Sequence, residues 1–281
     1  MSLTRPQPAR TFDAAKTYAS QLWGRREFAW YLAMGNLKAR NASTVLGLFW
    51  WVLNPLLLGL VYVLVFGVIL KRDTSSAPDA IPFVAWLLSG IFPFYFTQTA
   101  LTGGVNSIVS NSKLLANVNF PRLVMPISSL IEAFVGFLVS IGAFMVIVGF
   151  ASGIWPGRSV WILIPIILLH TVFNLGLSAI VARLAVPFRD LNNLVPYITR
   201  LWLYISPIIL TAEFIAKLDG TQAAIFAAHP LFPILMIYRG ALIGTPIEIR
   251  YWYQAAAWSF GLLFVGLLSF VRYEAKMTRY L

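Results

Sequence analysis

The sequence predicts an all-α polytopic membrane protein with six transmembrane helices. Three observations carry that expectation. Hydrophobic residues make up 59% of the 281 residues and charged residues only 11%, against about a quarter in soluble domains. Apolar stretches of about 20 residues recur, each long enough to cross a hydrocarbon core of about 30 Å as a helix. They are too long and too evenly apolar for the alternating strands of about ten residues that build an outer-membrane barrel. Backbone groups in lipid must be paired within their own segment, so spans of this kind are helices.

Residues 1–21 are polar and basic. They read as a cytoplasmic tail with no signal-peptide core. Residues 22–44 carry Trp23, Arg25, Arg26, Trp30 and Tyr31. Trp23, Trp30, Met34 and Leu37 share one helical face, with Arg26 and Glu27 at its edges. This segment is expected to be a helix lying in the membrane interface, with the tryptophans as anchors and the arginines at head groups. An ordinary cytoplasmic helix is the alternative.

Residues 45–272 hold the six expected spans, at about 46–70, 81–108, 124–150, 159–182, 193–212 and 253–271. Between the fifth and sixth, residues 213–250 are apolar but broken by Pro230, Pro233 and Arg239. Short broken helices on the external side, covered by protein, suit that pattern. A seventh span would instead place the basic tail, residues 273–281, outside.

Basic residues orient the chain. Arg5, Arg10, Lys16, Arg25, Arg26, Lys38, Arg40, Lys113, Arg122, Arg183, Arg189, Arg272, Lys276 and Arg279 fall on one side. Lys71, Arg72, Arg158, Lys217 and Arg250 fall on the other. Lys and Arg accumulate on cytoplasmic flanks, so both termini are placed in the cytoplasm. The same bias accounts for the net charge of +11 without a nucleic-acid partner. The polar, Pro-bounded break "SNSKLLANVNFPRLVMPISS", Ser110–Ser129, then becomes a cytoplasmic loop.

Catalytic and metal motifs are missing. There is no G-x-x-x-x-G-K-[S/T] run, so ATP phosphates are not cradled by that device. His170 and His229 are far apart, no H-E-x-x-H occurs, and no paired D-x-D can hold a metal and sugar nucleotide. Glu132 and His170 lie inside expected spans, where ionisable groups are functional candidates; structural hydrogen bonding is the alternative for both. Aromatics form 15% of the chain, enough to single out Phe94, Tyr95, Trp202 and Tyr204 as candidates to line a glycan channel. Aromatic faces give apolar contact to sugar C–H groups; interfacial belting and packing are the alternative.

The ordered pieces "STVLGLFWWVLNPLL", "SGIFPFYF", "NFPRLVMPISSLIEAFVGF", "VPFRDLNNLVPYITRLWLYISPIIL" and "HPLFPILMIYRGAL" resemble the permease subunit of type-2 ABC exporters. The branch is the one exporting O-antigen, capsule and teichoic-acid glycans, and the resemblance covers about residues 22–275. Phe188–Leu191 followed by Ser206–Ile208, and the P-x-x-P-x-x-x-x-Y-R run Pro230–Arg239, are the most specific pieces. The chain departs at Gly35-Asn36, where the family often has Arg-Asp, at Asn41 instead of Tyr, and at His229-Pro230, where Asn-Pro is usual.

The resemblance implies the ABC-2 permease fold, working as a homodimer with the channel between the copies. It implies a multi-pass protein of the bacterial inner membrane that moves a lipid-linked polysaccharide outward. No cofactor is implied on this chain; ATP and Mg would sit on a separate nucleotide-binding subunit. Lys113, Leu114, Leu115, Phe120, Pro121 and Arg122 would form the main contact with that subunit, with the leucines and Phe120 as apolar anchors. Phe188, Arg189 and Asp190 would form a second. His229, Pro230, Pro233, Tyr238 and Arg239 would form an external gate. Its closeness points to wall galactan of mycobacterium-like bacteria as the cargo. A drug or small-lipid exporter on the same scaffold is one rival. An ion-coupled transporter using Glu132 and Arg200 is another. A membrane glycosyltransferase lacks its acidic metal site.

The chain has no cysteine, so topology can be tested directly. A single cysteine at Ser76 is expected to label from outside intact cells, and cysteines at Ser112 and Asn192 are not. Equal labelling of Ser76 and Ser112 overturns the orientation.

Overall fold

The computed structural model describes residues 18, 20–42, 44–62, 64–65, 83–118, 120–153, 155, 157–208, 220 and 228–277. Both tails, the end of the first expected span and most of residues 209–227 lie outside the described residues. Every regular element among those described is helical. These are α1 Arg26–Ala42, α2 Trp50–Tyr62, α3 Phe83–Val109, α4 Ser112–Asn117, α5 Val124–Ser152, α6 Leu163–Ala185, α7 Leu191–Ile205, α8 Phe232–Ile243 and α9 Ile249–Met277. Short 3-10 turns, Gly47–Phe49 and Arg158–Ile162, lead into α2 and α6.

Four stretches are long and apolar enough to cross a membrane: Phe83–Val109, Val124–Phe150, Arg158–Ala185 and Ile249–Glu274. They match the second, third, fourth and sixth expected spans. The first and fifth are represented by α2 and α7, of 13 and 15 residues. At about 1.5 Å per residue these reach only some 20–23 Å, and the chain that follows each is largely undescribed. The chain is thus a multi-pass membrane protein built from helices.

The helices alternate in direction between a basic end and a far end. α3 runs to the basic end, and α4 sits in the turn there. α5 returns, α6 comes back, α7 returns again, and α9 finishes at the basic end. Contacts between their ends fix this order. Arg122, just before α5, meets Glu274 near the end of α9. Ile208, just past α7, meets Arg239 of α8 at the far end. α1 lies across the basic end against α5, with Ala29, Ala33 and Leu37 buried.

α3 is the central helix, the least apolar of the four spans and the most enclosed. Its Phe96 ring stacks on Phe137 of α5 at 4.7 Å. His170 of α6 sits edge-on to Phe96 at 4.9 Å. One imidazole nitrogen meets Thr97 Oγ1 at 2.7 Å and the other the Tyr238 hydroxyl at 3.3 Å. A polar ring fully buried in lipid-facing helices requires such partners, so His170 has the satisfied packing role.

α8 is the exception to membrane-length helices. Its 12 residues are all buried, and about 18 Å of helix cannot cross a bilayer. It survives at that depth because α3, α6, α9 and the turn before α6 wrap it. Prolines open it: Pro230 precedes it and Pro233 occupies its first turn, where an N–H has no intrahelical partner.

α6 and α9 run parallel and touch backbone to backbone. A Cβ on Gly266 would lie 2.5 Å from the Gly176 carbonyl oxygen, and one on Gly176 would strike the Leu262–Leu263 backbone. Lipid gives helices no hydrophobic reason to associate, so close approach through small residues supplies the dispersion that holds them. Gly176→Ala and Gly266→Ala are each expected to cost about 1–3 kcal/mol through overpacking, read as a lower unfolding midpoint in detergent. Gly142→Ala, which meets open space, is expected to stay within about 0.5 kcal/mol. Equal losses at Gly176 and Gly142 would show that the contact is not what holds the pair.

Candidate functional site

One face of the basic-end half of α3 is polar. Tyr95, Gln98, Thr99, Thr102, Asn106 and Ser110 recur at three- and four-residue steps, so they line one side of the helix. They form one wall of a cavity of about 680 Å³. Ser129 and Glu132 of α5, Asn36 and Ala39 of α1, and Pro196 of α7 complete it. Its size falls in the range of ligand sites, yet its walls are unusually hydrophilic for a membrane helix bundle.

The Ser and Thr hydroxyls of the α3 face bond back to their own helix. Thr99 Oγ1 donates to the Tyr95 carbonyl at 2.8 Å, and Thr102 Oγ1 to that of Gln98 at 2.9 Å. Asn106 Nδ2 donates to the Thr102 carbonyl at 3.0 Å, and Ser110 to that of Asn106. Each hydroxyl spends its hydrogen and leaves oxygen lone pairs free, while the Asn106 amide keeps a second N–H and its oxygen. On the opposite wall the carboxylate of buried Glu132 accepts from Asn36 Nδ2 at 2.8 Å. The cavity therefore presents both acceptor oxygens and amide N–H donors, from Gln98, Asn106 and Asn36, a lining that matches a hydroxyl-rich molecule. The Asn36–Glu132 bond also ties α1 to α5.

The sequence reading singled out only Tyr95 and Glu132 from this cavity. The signal for the rest was present as the three- and four-residue spacing of polar groups inside the second span. The other channel candidates are placed elsewhere. Phe94 is buried and packs edge-on against Trp202 at 6.3 Å. Tyr204 is exposed, with its ring 6.3 Å from that of Tyr62.

At the far end, Trp202 Nε1 donates to His229 Nε2 at 2.8 Å, and Ser206 Oγ lies 3.2 Å from the same nitrogen. Pro230 is half-buried, and Pro233, Tyr238 and Arg239 are buried. Arg239 reaches the Ile208 carbonyl at 3.1 Å, and its guanidinium carbon stands 3.8 Å from the Trp86 ring centroid. These residues join α3, α7 and α8 into one packed unit rather than lining an open passage within the chain.

At the basic end, Leu115 and Phe120 point inward. Phe120 packs edge-on against Phe28 of the α1 segment at 5.2 Å, and both Leu115 and Phe120 join a cluster with Ala29, Met125, Ala182 and Phe270. Leu114 packs at the rim of that cluster, and Pro121 is buried. Burial against their own chain means these anchors shape the loop rather than present themselves to a partner. The Lys113 side chain lies outside the described residues. Exposed positions of the loop are Val109, Ser110 and Val118, and beyond α6 the segment Phe188, Arg189, Asp190 is exposed throughout. Trp23, Arg25, Arg26 and Trp30 are also exposed, with Arg26 over the Trp23 ring at 5.2 Å. Ala29, Ala33 and Leu37 form the buried face of α1, where small alanines allow close approach to α5, and the tryptophans lie on its outer side.

Cysteines at Thr102 and Asn106 are expected to react with a charged, water-soluble thiol reagent in membranes. Cysteines at Leu138 and Val139, exposed on the outer side of α5, are not. Failure at both Thr102 and Asn106 would mean that the cavity is closed to water.

No family model matches the chain. Curated relatives do. The chain is 30% identical over 208 residues to the O-antigen export system permease protein RfbA of Myxococcus xanthus, covering 74% of this chain and 77% of that protein. A protein of the same name from Klebsiella pneumoniae is 27% identical over 217 residues, 77% of this chain and 80% of its own. A second from Klebsiella pneumoniae is 26% identical over 248 residues, 88% and 92%. With 30% identity over about three quarters of both chains, the chain belongs to the family of O-antigen export system permeases.

Proposed function

We propose that this chain is the membrane permease of an ATP-driven ABC exporter that carries a lipid-linked polysaccharide out of the cytoplasm. The observation that carries the reading is the hydrophilic cavity on α3, lined by hydroxyls and amides. Sugar hydroxyls both donate and accept, and Tyr95 adds an aromatic face for sugar C–H groups. Self-satisfied hydroxyls and amides give many weak, similar contacts, which suits a chain that must slide. A drug or small-lipid exporter would gain little from such a surface. An ion-coupled carrier would need Glu132 free, whereas Asn36 holds it.

The remaining features fit this reading. The positive-inside bias supports a cytoplasmic position for the basic end, in a bacterial inner membrane. α2 and α7 are the described parts of the first and fifth expected spans, and a six-span protein is the reading they support. Their exposed apolar faces, with Leu57, Leu60 and Val61 on one and Leu201, Tyr204 and Ile205 on the other, suit a second copy, so that the cavities of a homodimer border one passage. Energy comes from a separate subunit binding ATP and Mg, since this chain has no phosphate loop. Residues 110–124 and 186–190 are the surfaces it would push. Cell-wall galactan is the narrower reading of the cargo.

The test is depletion of the chain in its own cells, expected to leave a lipid-linked glycan on the cytoplasmic side whose sugars identify the cargo. In parallel, Thr102→Trp and Asn106→Trp are expected to cut export at least tenfold while the chain stays at normal levels in the membrane. Absence of an accumulated glycan overturns the function. Undiminished export in both variants overturns the place of the cavity in it.

A further inference from the structure

The last turns of α9 touch the loop 110–124 and the end of α6 that leads into segment 186–190, the two segments that face the ATPase in the reading above. Glu274 Oε1 accepts the backbone N–H of Arg122 at 2.7 Å. In return Arg122 Nη1 donates to the Glu274 carbonyl at 3.0 Å. That carbonyl is among the last four of α9, which have no partner within the helix, and the Arg122 N–H lies just outside the start of α5. Two helix ends therefore cap one another, a cation at a C-terminus and a carboxylate at an N-terminus, each favoured by the helix dipoles. Tyr18 is half-buried beside them, with its hydroxyl enclosed; burial first, and then the Glu274 charge, push its hydroxyl pKa up.

One residue earlier, Tyr273 holds the other segment. The Arg183 guanidinium carbon lies 4.7 Å from the Tyr273 ring centroid, within cation–π range. Arg183 is in the last turn of α6, and the chain leaves that turn directly into Phe188–Asp190. Loop 110–124 and segment 186–190 are far apart in sequence, yet adjacent residues of one helix hold them.

We infer that Tyr273 and Glu274 are positioning residues that yoke the two cytoplasmic contact segments, so that both move with α9. The Gly176–Gly266 contact then passes that motion to α6 and the helices packed on it. The inference rests on the proposed function for the identity of what pushes; the yoke itself is a property of this chain.

The test uses the full complex in lipid nanodiscs, with hydrogen exchange of peptides covering 112–124 and 183–191. It also uses glycan export in cells, normalised to ATP hydrolysis by the purified complex. Glu274→Ala is expected to speed exchange in 112–124 at least tenfold, and Tyr273→Ala to do the same in 183–191. Each is expected to lower export per ATP at least fivefold while hydrolysis continues. Glu274→Gln keeps the acceptor oxygen and is expected to stay within twofold of the parent on both measures. Arg122→Ala, which removes only the bond to the Glu274 carbonyl, is expected to show the same pattern at smaller amplitude, and it serves if Glu274→Ala does not fold. Unchanged exchange in the alanine variants, or unchanged export per ATP despite loosened segments, overturns the yoke. Cysteines at Val118 and Arg189 that fail to cross-link to the ATPase overturn the contact reading instead, and the exchange result then judges the yoke alone.

Discussion

A guanidinium buried at the far end of the bundle sets the constraint around which the outer half is arranged. Arg239 has no exposed surface, and taking such an ion from water costs several kcal/mol even after relaxation. Three features offset that cost. The Ile208 carbonyl accepts from Nη2 at the C-terminal, electronegative end of α7. The Trp86 face lies against the charge, and cation–π attraction strengthens when desolvated. Gly90 leaves the space, since a Cβ there would stand 3.2 Å from Nη2 and from Ile208 Cγ2. Nε and Nη1 have no hydrogen-bond partner among the described residues. Arg239 thus holds α3, α7 and α8 in one relation. A lysine, with a compact charge and no planar fork, would not both stack and bond in this way.

That fixed outer half explains how a short buried helix coexists with a polar cavity nearer the basic end. α8 fills the volume between α3, α6 and α9 at the far end, and among the described residues no equivalent helix fills it toward the basic end. The polar side of α3 faces the space left there, edged by α1. Its hydroxyls bond to their own helix, so the face tolerates the membrane without needing a fixed partner. Such a surface keeps acceptor oxygens and amide N–H groups for many similar, weak hydrogen bonds, which suits the proposed passage of a long hydroxylated chain.

The basic end is built by different means. Its loop is held from inside by Leu115 and Phe120 and from the side by Glu274. Buried anchors make the loop stiff, and Val118 and Phe188–Asp190 stay exposed, as the proposed contact with an ATPase needs. A stiff loop transmits displacement; a loop anchored only to its partner would absorb it.

Much of the architecture was legible in the sequence. Length and apolarity fixed the second, third, fourth and sixth spans to within a few residues, because hydrophobic thickness demands a minimum run. Pro230, Pro233 and Arg239 announced that α8 would not cross, since prolines and a charge interrupt such a run. The polar, Pro-bounded break announced the loop holding α4. The cavity was not read, because apolarity summed along a window discards angle, and the α3 hydroxyls counted only as a small loss of hydrophobicity. Nor could sequence say that Leu115 and Phe120 turn inward, or that Ala29, Ala33 and Leu37 form the packed face of α1. In lipid, an apolar side chain has little preference between tail and protein, so close packing decides which face is covered. Arg239 shows the same limit: its presence was plain in the sequence, but Trp86, Gly90 and Ile208 became its partners only when the bundle brought three distant segments together.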